Sequence, residues 1–326
     1  MRRQVVASKF RHILVALFAF PLLAAAQGYP SKPIHMIVPL AAGSAVDNAA
    51  RVVAQKMSES LGQGIAIENI PGASGVIGAE KVARSAPDGY VIGGFNDSIL
   101  TMVPHLTPKL SWDPLKDFAP ISLVGTIEWG LVVKADSPYR TLADFIAAAK
   151  AAPGKLNYGS GGNGSPQHIG MALIMDQAGI ELMHVPYKGA TPAAVAVAAG
   201  EVDVSMQGLG TVASLVQSGK LRLLAVSTPQ RLPQFPDIPT FHEAGMPNFT
   251  FNSWFAMVAP AGTPPELRKR LSDEVRASLD DAATREKLLA LGVTPRGTTP
   301  EEFGEATRTQ FERYRRLIHD KGIAAN

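Results

Sequence analysis

The chain has 326 residues, with 31 Lys and Arg against 28 Asp and Glu, and no cysteine. The missing thiols exclude disulfides, thiolate catalysis, cysteine-bound metals and lipid attachment through a cysteine. Four of the basic residues, Arg2, Arg3, Lys9 and Arg11, fall in the first 26 residues, which hold no acid; the remainder therefore carries one more acid than base, and its charge gives no reason to expect a nucleic-acid partner.

Those four cations precede an apolar stretch over residues 13–23, too short to span a bilayer comfortably, and then Ala24-Ala25-Ala26. This is the pattern of a secretory signal peptide, residues 1–26, cleaved after Ala26. The expected location is the periplasm, and the protein is not expected to be a lipoprotein. The remaining 300 residues are enough for two domains.

Short apolar runs then alternate with helical stretches, which predicts an α/β fold with largely parallel sheets. Residues 34–38 read as a strand. Residues 47–61 read as a helix, with Ala49, Val52, Val53, Met57 and Leu61 on one face and Gly62 as its stop. A strand at 65–68, a helix at 76–85 and a strand at 91–95 follow. Further on come a helix at 141–151, a strand at 156–158, a helix at 165–178, and strands at 182–185, 202–206 and 221–226. Ser165-Pro166, Thr191-Pro192, Thr263-Pro264 and Thr299-Pro300 each place a capping hydroxyl before a proline, the residue best tolerated in a first helical turn. Residues 227–239 are proline-rich and irregular. The last helix runs from Pro300 to about Ile318.

Two apolar, extended segments near aromatic residues, 124–133 and 249–258, are places where the chain is expected to pass between lobes. The expected division is a discontinuous first lobe, 27–125 plus 249–326, and a second lobe, 126–248. Two such crossings are what a hinge-closing receptor uses.

Five loops follow strand ends and precede helix starts. They are Pro39-Leu40-Ala41-Ala42-Gly43-Ser44, Pro71-Gly72-Ala73-Ser74-Gly75, Phe95-Asn96-Asp97-Ser98, the glycine-rich run from Tyr158 to His168, and Tyr187-Lys188-Gly189-Ala190. In open α/β sheets ligands sit beyond the carboxyl ends of strands, so these loops are expected to share one cleft. Glycines let the backbone approach a ligand, and a helix start offers free N–H groups to an anion. Lys188 adds a cation beside them.

Other chemistries fit less well. There is no Gly-Lys-Ser/Thr for a phosphate loop. Ser160 lacks the glycine two residues earlier that a nucleophile elbow requires, because Tyr158 stands there, so a secreted serine hydrolase through Ser160 with His168 or His184 is a distant alternative. His168, at the third position of its helix, is expected to donate a hydrogen bond into the cleft instead. The seven histidines are scattered and no metal is expected; His35 reads as a buried or half-buried structural residue. Trp112 and Trp254 read as packing residues, with Trp129 kept as a cleft candidate beside a crossing. Asp47 reads as a residue that begins its helix.

Taken in order, the motifs resemble the periplasmic solute-binding receptors of tripartite tricarboxylate transporters, the Bug or TctC receptors. The carrying motifs are Tyr29-Pro30-Ser31-Lys32-Pro33, Pro39-Leu40-Ala41-Ala42-Gly43 with Asp47, Pro71-Gly72-Ala73-Ser74-Gly75, Pro87-Asp88-Gly89-Tyr90, and Asp113-Pro114-Leu115-Lys116-Asp117-Phe118. They continue with Tyr158-Gly159-Ser160, Asn163-Gly164-Ser165, His184-Val185-Pro186-Tyr187-Lys188-Gly189, Gly219-Lys220-Leu221-Arg222 and Pro260-Ala261-Gly262-Thr263-Pro264. The resemblance implies a two-lobed periplasmic-binding-protein fold, type II-like, with two crossover strands and a central cleft. It implies a monomeric, non-enzymatic receptor without a cofactor that delivers a small carboxylate to a membrane permease, or alternatively reports it to a sensor protein. By similarity Ala41, Ala42, Gly43 and Ala73 would line the cleft from the first lobe, with Asn96 joining them from the strand-end loops. Ser160, Gly162, Asn163, Ser165, His168, Lys188, Gly189 and Ala190 would line it from the second. Ser44 stands where the family usually has a second glycine, Val46 where it has a small hydroxyl residue, and Gln207-Gly208 where it often has Asp-Asn. These departures lie on the cleft side in the family pattern, so Gln207 joins the expected site. They predict a carboxylate whose tail is less basic or less polar than that of an amino acid.

Overall fold

The protein is described here by a computed structural model covering residues 28–323; the expected signal peptide lies outside the described residues. In chain order the elements are β1 (Ile34–Val38), α1 (Ala45–Leu61), β2 (Ile65–Asn69), α2 (Val76–Ala83), β3 (Val91–Asn96), α3 (Asp97–Thr101), α4 (Val103–Leu106) and β4 (Phe118–Ile127). Then come β5 (Trp129–Lys134), α5 (Leu142–Ala151), β6 (Asn157–Ser160), α6 (Pro166–Ala178), β7 (Met183–Pro186), α7 (Ala190–Ala199), β8 (Val204–Gly208), α8 (Leu209–Gln217) and β9 (Leu221–Val226). The chain closes with β10 (Ser253–Pro260), α9 (Pro265–Asp280), α10 (Ala282–Ala290), β11 (Val293–Pro295) and α11 (Pro300–Asp320).

The strands form two sheets, ordered β11-β4-β10-β3-β1-β2 and β7-β6-β8-β5-β9. Each is mixed rather than largely parallel. In the first, β1 runs parallel to β2 and β3, while β10 runs antiparallel to both β3 and β4. In the second, β6 runs parallel to β7 and β8, while β5 runs antiparallel to β8 and β9. The reversal has one cause in each case. β5 enters the second sheet straight from the first, and β10 re-enters the first after an irregular segment, in both cases with no crossover helix to restore direction.

The first passage is one residue long. β4 ends at Ile127 and β5 begins at Trp129, so Glu128 alone lies between the sheets. Its N–H donates to Gly292, its carbonyl accepts from Leu209, and its carboxylate accepts from Thr294 Oγ1 at 2.9 Å. Burial raises its pKa. The return is longer: residues 227–252 carry no helix, and β10 starts only at Ser253.

Helix starts follow local chemistry. Ser44 caps α1, whose first helical residue is Ala45 rather than Asp47, and Ser165 caps α6 with Pro166 in the first turn. Thr141 and Thr299 each form a full reciprocal capping box, with Asp144 and Glu302. Two expected caps are spent elsewhere. Thr263 Oγ1 donates to Pro260, and α7 begins at Ala190 with Gly189 before it, leaving the Thr191 hydroxyl free for a contact described below.

Packing follows the apolar pattern. Trp254 meets Phe303 edge-on, and Trp112 and Phe95 both meet Phe118 edge-on, so the first and third tryptophans are core residues. His35 is exposed on β1, contrary to the buried role its apolar neighbours suggested; Ile37, two residues on and on the same face, is buried, so the cover of that face stops short of the start of the strand.

Candidate functional site

The loops at the strand ends of both sheets enclose a cavity of about 500 Å³. From the first sheet, the 39–44 loop is held by Asp47. Its carboxylate accepts the Gly43 N–H at 2.8 Å, Asn69 Nδ2 at 2.9 Å, and both Nε and Nη2 of Arg51. Asp47 therefore sets the shape of the loop, and Ala41, Ser44, Ala45 and Val46 reach the cavity wall; Ala42 and Gly43 do not. The Ala42 carbonyl is engaged by Thr191, and the Gly43 N–H is spent on Asp47.

The 71–75 loop holds two non-glycine residues in left-handed backbone, Ala73 at φ 46° and Ser74 at φ 55°. Such conformations cost ~1–3 kcal/mol each and persist where the surroundings over-determine them. The Gly75 and Val76 N–H groups donate to the Gly72 and Ala73 carbonyls, so the loop holds this shape through its own backbone. Ala73 is on the wall, as are Asn96 and Ser98 at the end of β3 and Ser253 at the start of β10. Behind them Asp97 is fully buried, accepting from Ser253 Oγ at 2.5 Å and from Gln310 Nε2 at 3.1 Å. Burial raises its pKa to about 7 against the pull of those donors.

The second sheet supplies the glycine-rich loop. Gly162, Asn163 and Ser165 lie on the cavity wall, with Gly161 and Gln167 beside them. Ser160 and His168 lie behind it. Ser160 is buried; its Oγ shares a 2.6 Å hydrogen bond with His184 Nε2 and accepts the Gly162 N–H at 3.1 Å. The hydroxyl thus holds the loop. His184 has no carboxylate on its other nitrogen, Nδ1, which is buried and unpartnered, so the pair lacks the orienting acid of a hydrolytic triad. His168 stacks on His184 at 4.6 Å between ring centres, and His184 on Tyr158 at 4.8 Å. Far from donating into the cavity, His168 accepts the Gly164 N–H on Nδ1 at 3.1 Å. Burial, then the neighbouring His184, push its pKa down to about 4; burial also lowers that of His184. Both rings are neutral at pH 7. Gln207, too, sits behind the wall, its amide bonded to Gln167, Ser205 and the Ala190 carbonyl.

Lys188, Gly189 and Ala190 line the cavity ahead of α7, and no side chain caps that helix. Among the described residues lining the cavity, Lys188 is the only one with a full charge and no carboxylate is present. Trp129 and Ile127 form wall at the crossing; Trp129 was a candidate from its position, whereas Ile127, Leu106, Ser253 and Thr211 carried no local signal. No group of three or more acidic or histidine side chains among the described residues is placed to hold a metal.

The two sheets are closed on each other across the cavity mouth. Ser74 Oγ donates to the Asn163 carbonyl at 2.6 Å, and Thr191 Oγ1 to the Ala42 carbonyl at 2.9 Å. Asn48 Nδ2 donates to Gly210, and the Ala45 N–H donates to Thr211 Oγ1. Two glycines make the approach feasible. A Cβ on Gly162 would lie 2.7 Å from Ser74 Oγ, and one on Gly189 2.7 Å from the Ala41 Cβ; both have positive φ.

Known proteins share this fold. The solved periplasmic binding protein BugD aligns with a TM-score of 0.87 and 30% identity, over 91% of this chain and 99% of its own. A Rhodopseudomonas palustris protein solved with adipate aligns with a TM-score of 0.88 and 32% identity, over 91% and 99%. MatC of the same organism, solved with bound malate, aligns with a TM-score of 0.83 and 29% identity, over 89% and 99%. The two-sheet α/β fold is thus that of the periplasmic binding proteins. Residues 49–323 match the family described as the tripartite tricarboxylate transporter family receptor, and the chain belongs to that family.

Proposed function

We propose that the protein is a periplasmic receptor that captures a small carboxylate between two lobes and delivers it to a transporter of the tripartite tricarboxylate type. One lobe would be built on the first sheet and the other on the second, hinged at Glu128 and the 227–252 return. The observation that carries the reading is the composition of the cavity wall: backbone-rich loops from both sheets, the uncapped start of α7, one ammonium and no carboxylate. An anion there meets donors without a competing negative charge, and hydrogen bonds to a charged group contribute roughly 1.5–3 kcal/mol each. Relatives solved with adipate and malate support the solute class. The buried Ser160–His184 pair, without an acid, favours binding over turnover.

A thermal-shift series tests this. A solute that binds only the folded protein stabilises it by about 2.7 kcal/mol at a hundredfold excess over Kd. Carboxylates such as adipate or malate should raise the melting temperature, and neutral sugars and peptides should not. A shift with sugars and none with carboxylates would overturn the proposal.

A further inference from the structure

The cavity is chemically different at its two ends. Lys188 follows β7, the edge strand of the second sheet, whereas Trp129 begins β5, three strands away. That separation is about 14 Å at the usual strand spacing. The crossing end is completed from the first sheet by Asn96, Ser98 and Ser253, and Ser253 pairs with Ile127 in the β10–β4 ladder.

The two serine protons at this end are committed, whereas the Trp129 indole N–H has no partner. Ser253 Oγ donates to Asp97, and Ser98 Oγ donates to the Asn96 side-chain oxygen at 3.0 Å. Both serine oxygens are left as acceptors, and the Asn96 amide nitrogen is left as a donor. A hydroxyl, which donates and accepts, matches this set. An ionised carboxylate only accepts; it would face two acceptors, with the Asp97 carboxyl directly behind Ser253 and no cation among the described residues of that wall.

We propose that the crossing end is a hydroxyl subsite, so that the preferred solute is a monocarboxylate bearing a neutral hydroxyl far from its carboxylate, rather than a dicarboxylate. The proposal rests on the carboxylate reading and adds to it the chemistry of the far end.

Calorimetric titration of the wild-type protein at pH 8, where Asp97 is mostly ionised, decides the matter with 6-hydroxyhexanoate, adipate, hexanoate and 1,6-hexanediol, and with the four-carbon counterparts of each. The hydroxy acid should bind at least tenfold tighter than the diacid and the plain acid of its length. Ser253→Ala should reduce its advantage over the plain acid severalfold, and Ser98→Ala serves if that variant does not fold. Adipate or succinate binding as tightly as the hydroxy acid would overturn the hydroxyl subsite and leave the carboxylate reading standing. So would equal binding of hexanoate. A diol binding as well as the hydroxy acid would overturn the carboxylate reading itself, and no binding by any of the eight would overturn both.

Discussion

His168 and Asp97 are buried on opposite sides of the cavity and titrate in opposite senses. The folded-state pKa of His168 lies near 4, below the ordinary value of 6.5, so the unfolded chain binds more protons between those values. Its contribution to stability is present above pH 6.5 and is lost as pH falls through 4; a shift of this size corresponds to about 3 kcal/mol. Asp97, with a folded value near 7 against 3.8, does the reverse: its contribution is present below 3.8 and is lost as pH rises through 7. Over pH 4–6.5 the two largely offset each other, and His184 adds to the His168 side. The melting temperature of His168→Gln should therefore close on that of the wild type as pH is lowered from 7 to 4. That of Asp97→Asn should gain on the wild type as pH is raised from 4 to 8. Parallel melting curves across pH for both variants would show that neither group carries the linkage. Neither burial was legible in the sequence. His168, in a first helical turn, was expected to face the cleft, and the ring stacked on it, His184, comes from β7, with Tyr158 of β6 on its far side.

At the scale of elements, what was legible was local. Ser165 and Thr299 announced their helices because a cap and its N–H lie three residues apart. The glycine-rich loop announced itself because only glycine allows the close approach of Gly162 to Ser74 and of Gly189 to Ala41. Alanine at either position combines a strained φ with a clash across the mouth of the cavity. Gly162→Ala and Gly189→Ala should each lower carboxylate affinity at least tenfold, mainly through a faster off-rate, while shifting the melting temperature of the free protein by only a few degrees. Stopped-flow release and a melting curve read the two effects separately; unchanged affinity in both variants would mean that this contact does not govern binding. Ser253 and Ile127 were not legible, since their place on the wall depends on β10 pairing with β4, more than 120 residues earlier in the chain. The expected cap at Thr191 failed for a related reason: its hydroxyl is claimed by the Ala42 carbonyl of the other sheet.

For the whole molecule, motif order was enough to identify the fold class, because a family's loops keep their sequence while their strands share only an apolar pattern. Strand direction escaped notice, and it has a consequence for how the protein is made. In the first sheet β10 lies between β3 and β4, so the middle of that sheet arrives with the last quarter of the chain, whereas every strand of the second sheet lies within residues 129–226. A chain that emerges N-terminus first can finish the second sheet while β4 still has neither of its neighbours. Pulse-labelled hydrogen exchange during refolding should show β6 and β8 amides protected before those of β4; simultaneous protection would mean the two sheets form as one cooperative unit. Until β10 emerges, the unpaired edges of β3 and β4 are the surfaces through which two half-made chains would stick together, and a chaperone that delays aggregation would act at that stage.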